Sequence, residues 1–204
     1  MNLRQSIVKQ FKQPHGALGA VAGHIMACRP SNVERNHWTL QLLDLQPDDR
    51  LLEVGFGPGI AIEEAARFIT NGQIVGIDHS DVMLKQASKR NAQAIARGQV
   101  ELHVGTIKDL PPYSQPFTKM CSANVVQFWQ DPTADFAKLR SILVEGGVIA
   151  TTYMPRHSHA TTADALSKAN EIVEHLKSAG FVNIRIEENP FKPISAISVV
   201  AVNE

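Results

Sequence analysis

Leu51-Leu52-Glu53-Val54-Gly55-Phe56-Gly57-Pro58-Gly59 is the stretch that decides the fold, because an apolar run there leads into three glycines at every second position. Residues 60–66 then read as the start of a helix. Strand, glycine loop and helix in this order form a ligand-binding crossover. Glycines permit left-handed backbone angles, and the helix start directs free N–H groups towards the ligand. The stretch therefore predicts a ligand site at the end of a buried strand.

The spacing of these glycines argues against two common nucleotide-binding motifs. A dinucleotide fingerprint needs a third glycine where this chain has Ile60 or Ile62, depending on the register. A phosphate-binding loop needs Gly-Lys followed by Ser or Thr, which the stretch lacks. An oxidoreductase with a nucleotide cofactor is thereby disfavoured. A tight strand–helix turn with chance glycines stays open as the simplest alternative.

The composition is that of an ordinary globular domain. At 204 residues the chain suits one domain with a sizeable core. Its 20 basic and 20 acidic residues give a net charge of zero, so the composition lacks the excess of positive charge that is typical of nucleic-acid-binding proteins. Two cysteines cannot form a disulfide framework, and no apolar run is long enough to span a membrane. We therefore expect a cytoplasmic protein that binds no nucleic acid and does not insert stably into a membrane.

Strands and helices alternate along the chain, which implies a parallel sheet covered by helices on both faces. The pattern predicts an α/β fold with seven strands, the last of them antiparallel. The predicted strands are 50–54, 73–78, 100–105, 117–126, 148–153, 181–186 and 194–202. The predicted helices are 32–44, which follows a Ser31–Glu34 capping box, and 59–70, 81–96, 133–144 and 162–179.

Several chemistry-bearing residues fall where predicted strands end. Ligands of parallel sheets bind beyond the carboxyl ends of the strands, so these residues should converge on one site. Asp78 lies 23 positions after Gly55, an interval that suits an acid accepting hydrogen bonds from ribose hydroxyls. A mere helix-capping role for this acid stays open. The other residues at strand ends are Thr106, Asn124 and Tyr153.

The pattern Glu-x-Gly-x-Gly-x-Gly after aliphatic residues, with Asp78 at the next strand end, resembles motif I of class I S-adenosylmethionine (SAM)-dependent methyltransferases. The resemblance covers about Arg50 to Tyr153. It implies a single-domain, Rossmann-like fold, SAM as cofactor, and methyl transfer to a small-molecule acceptor by direct in-line displacement. The chain departs from the family at Thr106, where an acid often follows the glycine.

The resemblance also implies roles for single residues. Glu53 would serve the ammonium group of SAM, the glycines its amino-acid end, and Asp78 its ribose. Met83 and Ile107 would flank the adenine, although a plain core role is equally open for them. The cofactor-binding set predicted in this way is Glu53, Gly55, Phe56, Gly57, Gly59, Asp78, His79, Met83, Gly105, Thr106, Ile107, Asn124 and Val125.

No catalytic base can be assigned, because methyl transfer needs one only if the acceptor must lose a proton. The candidates by expected position are His24, His37, Tyr153, His157 and His159. A metal site is not expected, since the His157-x-His159 pair lacks a third ligand in the sequence.

Residues 1–30 are predicted to form an N-terminal segment that acts as a lid, and residues 31–204 the methyltransferase domain. Two functional alternatives stay open. One is a lipid or quinone-type acceptor reached at a membrane surface. The other is a SAM-binding protein without catalysis. The oligomeric state and the acceptor are not specified by the sequence.

Overall fold

The computed structural model describes residues 30–157, 159–192 and 194–204, so residues 1–29 of the predicted lid, His24 among them, lie outside the described residues. One seven-stranded sheet has the order β3-β2-β1-β4-β5-β7-β6. Its strands are β1 Arg50–Val54, β2 Gln73–Asp78, β3 Val100–Val104, β4 Phe117–Ala123, β5 Leu143–Tyr153, β6 Val182–Asn189 and β7 Ala196–Val202.

Six α-helices cover the two faces of this sheet in the described part of the chain. They are α1 Pro30–Gln41, α2 Ile60–Phe68, α3 Asp81–Arg90, α4 Ala92–Ala96, α5 Pro132–Arg140 and α6 Thr162–Ser178. Helices α1 to α4 pack with Leu51 and Ile74 on one face. Helices α5 and α6 pack with Leu52 and Val75 on the other. Adjacent strand residues thus enter opposite cores, as the pleat requires.

Strands β1 to β5 are parallel, and β7 runs antiparallel to both β5 and β6. The predicted fold class is confirmed, including the antiparallel last strand. Because parallel strands end on the same side, the loops after β1 to β5 meet at one edge of the sheet. Among the described residues, no helix is long and apolar enough to cross a membrane.

Two predicted elements differ from the structure because a distant side chain intervenes. The helix predicted over 81–96 is broken at Asn91, whose amide bonds the carbonyl oxygens of Gly59 and Ala87. The Gly146–Gly147 pair, which falls between the predicted helix 133–144 and the predicted strand 148–153, lies inside β5. Asn203 pairs through its backbone with both of these glycines and bonds the carbonyl oxygen of Leu143 through its side chain.

Two further predicted boundaries, one of a helix and one of a strand, also differ from the structure. Helix α1 already includes Pro30 and Ser31, so the predicted Ser31–Glu34 capping box is wrong. The Ser31 hydroxyl accepts instead from Arg156. Strand β4 ends at Ala123 rather than at residue 126, since Asn124 takes a positive φ of 58°.

Helix α1 is fixed to the sheet by buried hydroxyl groups. Thr39 donates to the carbonyl oxygen of Arg35 at 2.8 Å and shares a 2.7 Å hydrogen bond with Thr152 of β5. The Thr152 hydroxyl oxygen also lies 2.9 Å from the hydroxyl oxygen of Ser198 in β7. Trp38 packs beside this contact against Met154. The position of α1 over the strand ends therefore depends on a polar contact within the core.

Replacing Thr39 with valine is expected to lower the free energy of unfolding by about 1–2 kcal/mol, because the shape is kept but two buried hydrogen bonds are lost. Thr39→Ser keeps the hydroxyl and should cost about half as much. Urea unfolding of both variants measures the difference. A larger loss in Thr39→Ser than in Thr39→Val would show that the methyl group, not the hydroxyl, holds α1.

Candidate active site

The glycine loop after β1 has the backbone form that the sequence predicts. Gly55, Gly57 and Gly59 have φ angles of 78°, 51° and 76°, all in the left-handed region. A Cβ atom on Gly55 would lie 2.3 Å from Val125 Cγ2, and one on Gly59 would lie 2.7 Å from Asn91 Nδ2. A Cβ atom on Gly57 would meet nothing within 4 Å. The middle glycine therefore borders open space, as a ligand cradle requires.

Helix α3 holds the carbonyl groups of this loop from one side. Arg90 Nε donates to the carbonyl oxygen of Pro58 at 3.0 Å, and Asn91 Nδ2 donates to that of Gly59 at 3.1 Å. Arg90 also pairs with Glu63 of α2 at 2.8 Å. Sequence reasoning missed Arg90 and Asn91. Each lies 32 positions from its loop partner, so no local pattern marks it.

Asp78 ties the loop to the end of β2. Its Oδ2 accepts from the Gly57 N–H at 2.9 Å, and its Oδ1 accepts from the Ser80 N–H at 3.0 Å. Burial raises the pKa of this carboxyl, and the two backbone hydrogen bonds partly offset that effect. A carboxylate offers about four acceptor positions, so Asp78 retains capacity for hydroxyl donors.

Glu53 and Arg35 form a second polar pair, beneath α1. Glu53 is 4% exposed and Arg35 is 6% exposed. Glu53 Oε2 and Arg35 Nε are buried without a hydrogen-bond partner. Among the described residues, no carboxylate oxygen lies within 4.0 Å of the Arg35 guanidinium. An acidic and a basic side chain are thus buried near each other without contact.

The pKa values of this pair reflect that arrangement. Burial, and then the nearby Asp78 charge, raise the pKa of Glu53 to about 8, although Arg35 opposes the shift. Burial, and then the charge of Arg156, lower the pKa of Arg35 to about 9. Uncompensated buried charges cost stability unless a ligand completes them. A ligand that carries an ammonium and a carboxylate group would supply both missing partners.

Without a ligand, the chain is expected to lose stability as the pH rises from about 5 to about 8. The folded state holds a proton on Glu53 that the unfolded chain releases above its ordinary pKa of 4.5. Folding therefore weakens by up to about 1 kcal/mol per pH unit in this range. Glu53→Gln cannot ionise and should flatten the slope, whereas Glu34→Gln on the exposed side of α1 should keep it. Urea unfolding at several pH values tests this, and an unchanged slope in Glu53→Gln would contradict it.

The apolar members of the predicted cofactor set are buried in the core. Phe56 lies against Gly76 of β2, and its side chain belongs to the core beneath α1 to α4. Met83 lies in the same core, whereas Ile107 lies in the opposite one. Their contact with adenine stays a prediction. The half-exposed His79 has Nδ1 at 3.6 Å from Asp78 Oδ1.

The loop after β3 begins at Gly105, whose N–H donates to the carbonyl oxygen of Asp78 at 2.9 Å. The Thr106 hydroxyl donates to Asp109 Oδ2 at 2.7 Å, and the Thr106 N–H donates to the same oxygen at 2.8 Å. These hydrogen bonds hold the pKa of Asp109 below its usual range. Asp109 thus caps the short turn that follows Thr106, and contact of Thr106 with adenine stays a prediction.

The loop after β4 contributes Asn124 and Val125. Val125 packs directly against Gly55, as the 2.3 Å approach to a virtual Cβ atom indicates. The Asn124 side chain donates to the Met154 carbonyl oxygen at 2.9 Å and accepts from the Met154 N–H at 2.7 Å. Asn124 thus joins the ends of β4 and β5 at the cost of a left-handed backbone.

Four of the five candidate bases lie within the described residues. Two of them contact a carboxylate, one packs against the core and one is exposed. His37 bonds Glu64 of α2 through one ring nitrogen and Gln41 through the other. Tyr153 packs on the α6 side of the sheet. The exposed His157 has Nε2 at 4.0 Å from Asp164, and His159 is exposed with a φ of 67°. Within the described ranges, no three His, Cys, Asp or Glu side chains form a group that could hold a metal ion.

Comparison with known protein families gives one clear match. A family profile described as "Methyltransferase domain" matches residues 51–147. The chain is 32% identical over 181 residues to an uncharacterized methyltransferase, YdaC, of Bacillus subtilis (strain 168). That alignment covers 89% of this chain and 97% of the relative. The two proteins are therefore related over nearly their whole lengths.

More distant relatives and solved structures agree with this match. The chain is 24% identical to 2-methyl-6-phytyl-1,4-hydroquinone methyltransferase 1, chloroplastic, of Oryza sativa subsp. japonica, over 76% of this chain and 50% of the relative. The crystal structure of N-methyltransferase NodS from Bradyrhizobium japonicum WM9 with S-adenosyl-L-homocysteine (SAH) has a TM-score of 0.70. It is 14% identical, and the superposition covers 98% of this chain and 97% of that one. This second likeness is one of fold.

Proposed function

The chain belongs to the class I SAM-dependent methyltransferases, and we propose that it methylates a small-molecule acceptor with SAM held by the glycine loop, Asp78, Glu53 and Arg35. The observation that carries the cofactor site is the pair of buried polar atoms, Glu53 Oε2 and Arg35 Nε, that have no partner. The amino-acid end of SAM is a zwitterion, which matches one acid and one base that do not reach each other.

Each group of this proposed site has a separate task. Glu53 binds the ammonium group, Arg35 binds the carboxylate, and Asp78 accepts from ribose hydroxyls while it fixes the Gly57 N–H. When bound, SAM supplies a methyl group already activated on a sulfonium. The protein therefore acts chiefly by holding the reactants in line and excluding water. No residue is assigned as a base, since methyl transfer needs one only if the acceptor must lose a proton.

A quinone-type or lipid acceptor is the second candidate, and the rice relative, which is named as a hydroquinone methyltransferase, favours it. That relative is about twice as long as the region this chain matches, so its substrate is only a guide. The predicted lid in residues 1–30 would complete the acceptor side.

Calorimetry with SAM, SAH and NAD tests the cofactor. We expect micromolar or tighter binding of SAM and SAH and none of NAD. Binding of NAD alone would contradict the proposal.

Incubation with methyl-labelled SAM and a cell extract tests the acceptor, after separation into aqueous and organic fractions. Label in a small aqueous product supports the first candidate, and label in the organic fraction supports the quinone or lipid candidate. SAM binding without any labelled product would indicate a protein that binds SAM without catalysis.

A further inference from the structure

Asn32 lies at the centre of a contact that the proposed cofactor site does not explain. Its Oδ1 accepts from Arg35 Nη1 at 3.0 Å and from Arg156 Nη2 at 2.6 Å. Arg156 comes from the loop after β5 and also donates to the Ser31 hydroxyl at 3.1 Å. Asn32 and Arg35 are both buried. One amide oxygen at the start of α1 therefore orients two guanidinium groups.

The acceptor that the two arginines share is an amide oxygen and not a carboxylate. Guanidinium groups bind carboxylates most strongly, so Asp at position 32 would satisfy both arginines better than an amide does. Such a carboxylate would also cancel their charge. An amide oxygen accepts the same hydrogen bonds without a negative charge. The positive charge of Arg35 is therefore not cancelled by Asn32, and Arg35 Nε lacks a partner.

The chain maintains this charge at a cost. The nearby Arg156 guanidinium lowers the pKa of Arg35, in addition to the effect of burial. A buried cation without a counter-ion is retained where another group supplies the anion. The SAM carboxylate is the anion that the proposed function places at Arg35.

We propose that Asn32 is a positioning residue, which aims the Arg35 guanidinium at the SAM carboxylate and leaves its charge uncompensated. This inference rests on the proposed function, in which Arg35 receives that carboxylate. Arg156 holds the amide oxygen of Asn32 in place from the opposite side. Because the side chain at position 32 is uncharged, the charge of Arg35 stays available to the SAM carboxylate and the cofactor binds more tightly.

The test uses the full chain and two ligands, SAH and 5′-methylthioadenosine, of which the second lacks the amino-acid end. Asn32→Asp should weaken SAH binding at least about tenfold, because the new carboxylate competes with that of the ligand. It should leave 5′-methylthioadenosine binding unchanged and the Tm equal or higher. Asn32→Ala should lower SAH affinity only about threefold, together with the Tm. The control Asn71→Asp makes the same charge change in the turn before β2, at the opposite edge of the sheet, and should bind SAH as the wild type does.

Three results would overturn the inference. Wild-type SAH affinity in Asn32→Asp would show that the neutrality of Asn32 is irrelevant. Equal weakening of both ligands, or weakening that only follows a loss of Tm, would show a structural role. Arg35→Gln separates this failure from that of the proposed function. If Arg35→Gln binds SAH normally, the carboxylate site itself is wrong; if it is impaired while Asn32→Asp is not, only the role of Asn32 is wrong.

Discussion

Replacing Gly55 with alanine is expected to abolish measurable SAM binding and to lower the free energy of unfolding by about 3 kcal/mol. Two effects add. The φ of Gly55 is 78°, which L residues with a Cβ atom rarely adopt, and that Cβ atom would lie 2.3 Å from Val125 Cγ2. Relief of the overlap requires the loops after β1 and β4 to separate. The cradle would then lose the wall that Val125 provides.

Gly57→Ala is the matched control for this prediction. Gly57 has a φ of 51°, so alanine is strained there too, but its Cβ atom would meet nothing within 4 Å. The loss of stability should therefore be about 1 kcal/mol, although the methyl group would still obstruct the cofactor. Urea unfolding separates the two variants where binding measurements alone would not.

A double variant identifies which effect causes the loss of stability in Gly55→Ala. Val125→Ala removes the methyl groups that meet the new Cβ atom, so combined with Gly55→Ala it should recover about half of the lost stability. Additive losses in the double-mutant cycle would mean that backbone strain, not the contact with Val125, dominates.

The parts of this site that sequence reasoning found are those set by local rules. Three alternate glycines after an apolar strand fix a left-handed loop, and the acid after the next strand follows from the crossover geometry. The order of parallel strands then brings the residues at strand ends together. None of this depends on which distant side chains meet, so it could be predicted.

The parts that were missed depend on contacts between distant segments. Asn91 breaks a continuous helical pattern to bond Gly59, and Asn203 draws the Gly146–Gly147 pair into a strand. Such side-chain to backbone contacts leave no periodic signal. Position 124 shows the same limit, since its amide looked free to face a ligand but bonds the backbone of Met154.

Arg35 did leave a signal in the sequence. Asn32, Arg35 and Thr39 follow one another at intervals of three and four residues, on the helix face that also carries Trp38. Polar residues repeated on a core-facing stripe indicate a buried polar function rather than a solvated surface. The interpretation of Ser31–Glu34 as a capping box treated the same residues as a helix start and concealed this pattern.

Arg35→Gln is expected to weaken SAH binding by about 100-fold, because the ligand carboxylate loses its charged partner in a buried site. Binding of 5′-methylthioadenosine, which has no carboxylate, should change less than about twofold. Glutamine can still donate to Asn32, and the cost of burying a guanidinium disappears. The free energy of unfolding without ligand should therefore stay the same or increase by about 1 kcal/mol.

A loss of SAH affinity without a loss in the free energy of unfolding distinguishes a role of Arg35 in binding from a role in folding. Arg67→Gln removes the same charge from an exposed position of α2 and should leave both quantities unchanged. Calorimetry with the two ligands and urea unfolding of each variant complete the measurement. If Arg35→Gln weakened both ligands equally, or lost stability, Arg35 would act through the packing of α1. Selective loss of SAH would instead assign the buried guanidinium to the carboxylate, since only that group distinguishes the ligands at this end of the cofactor.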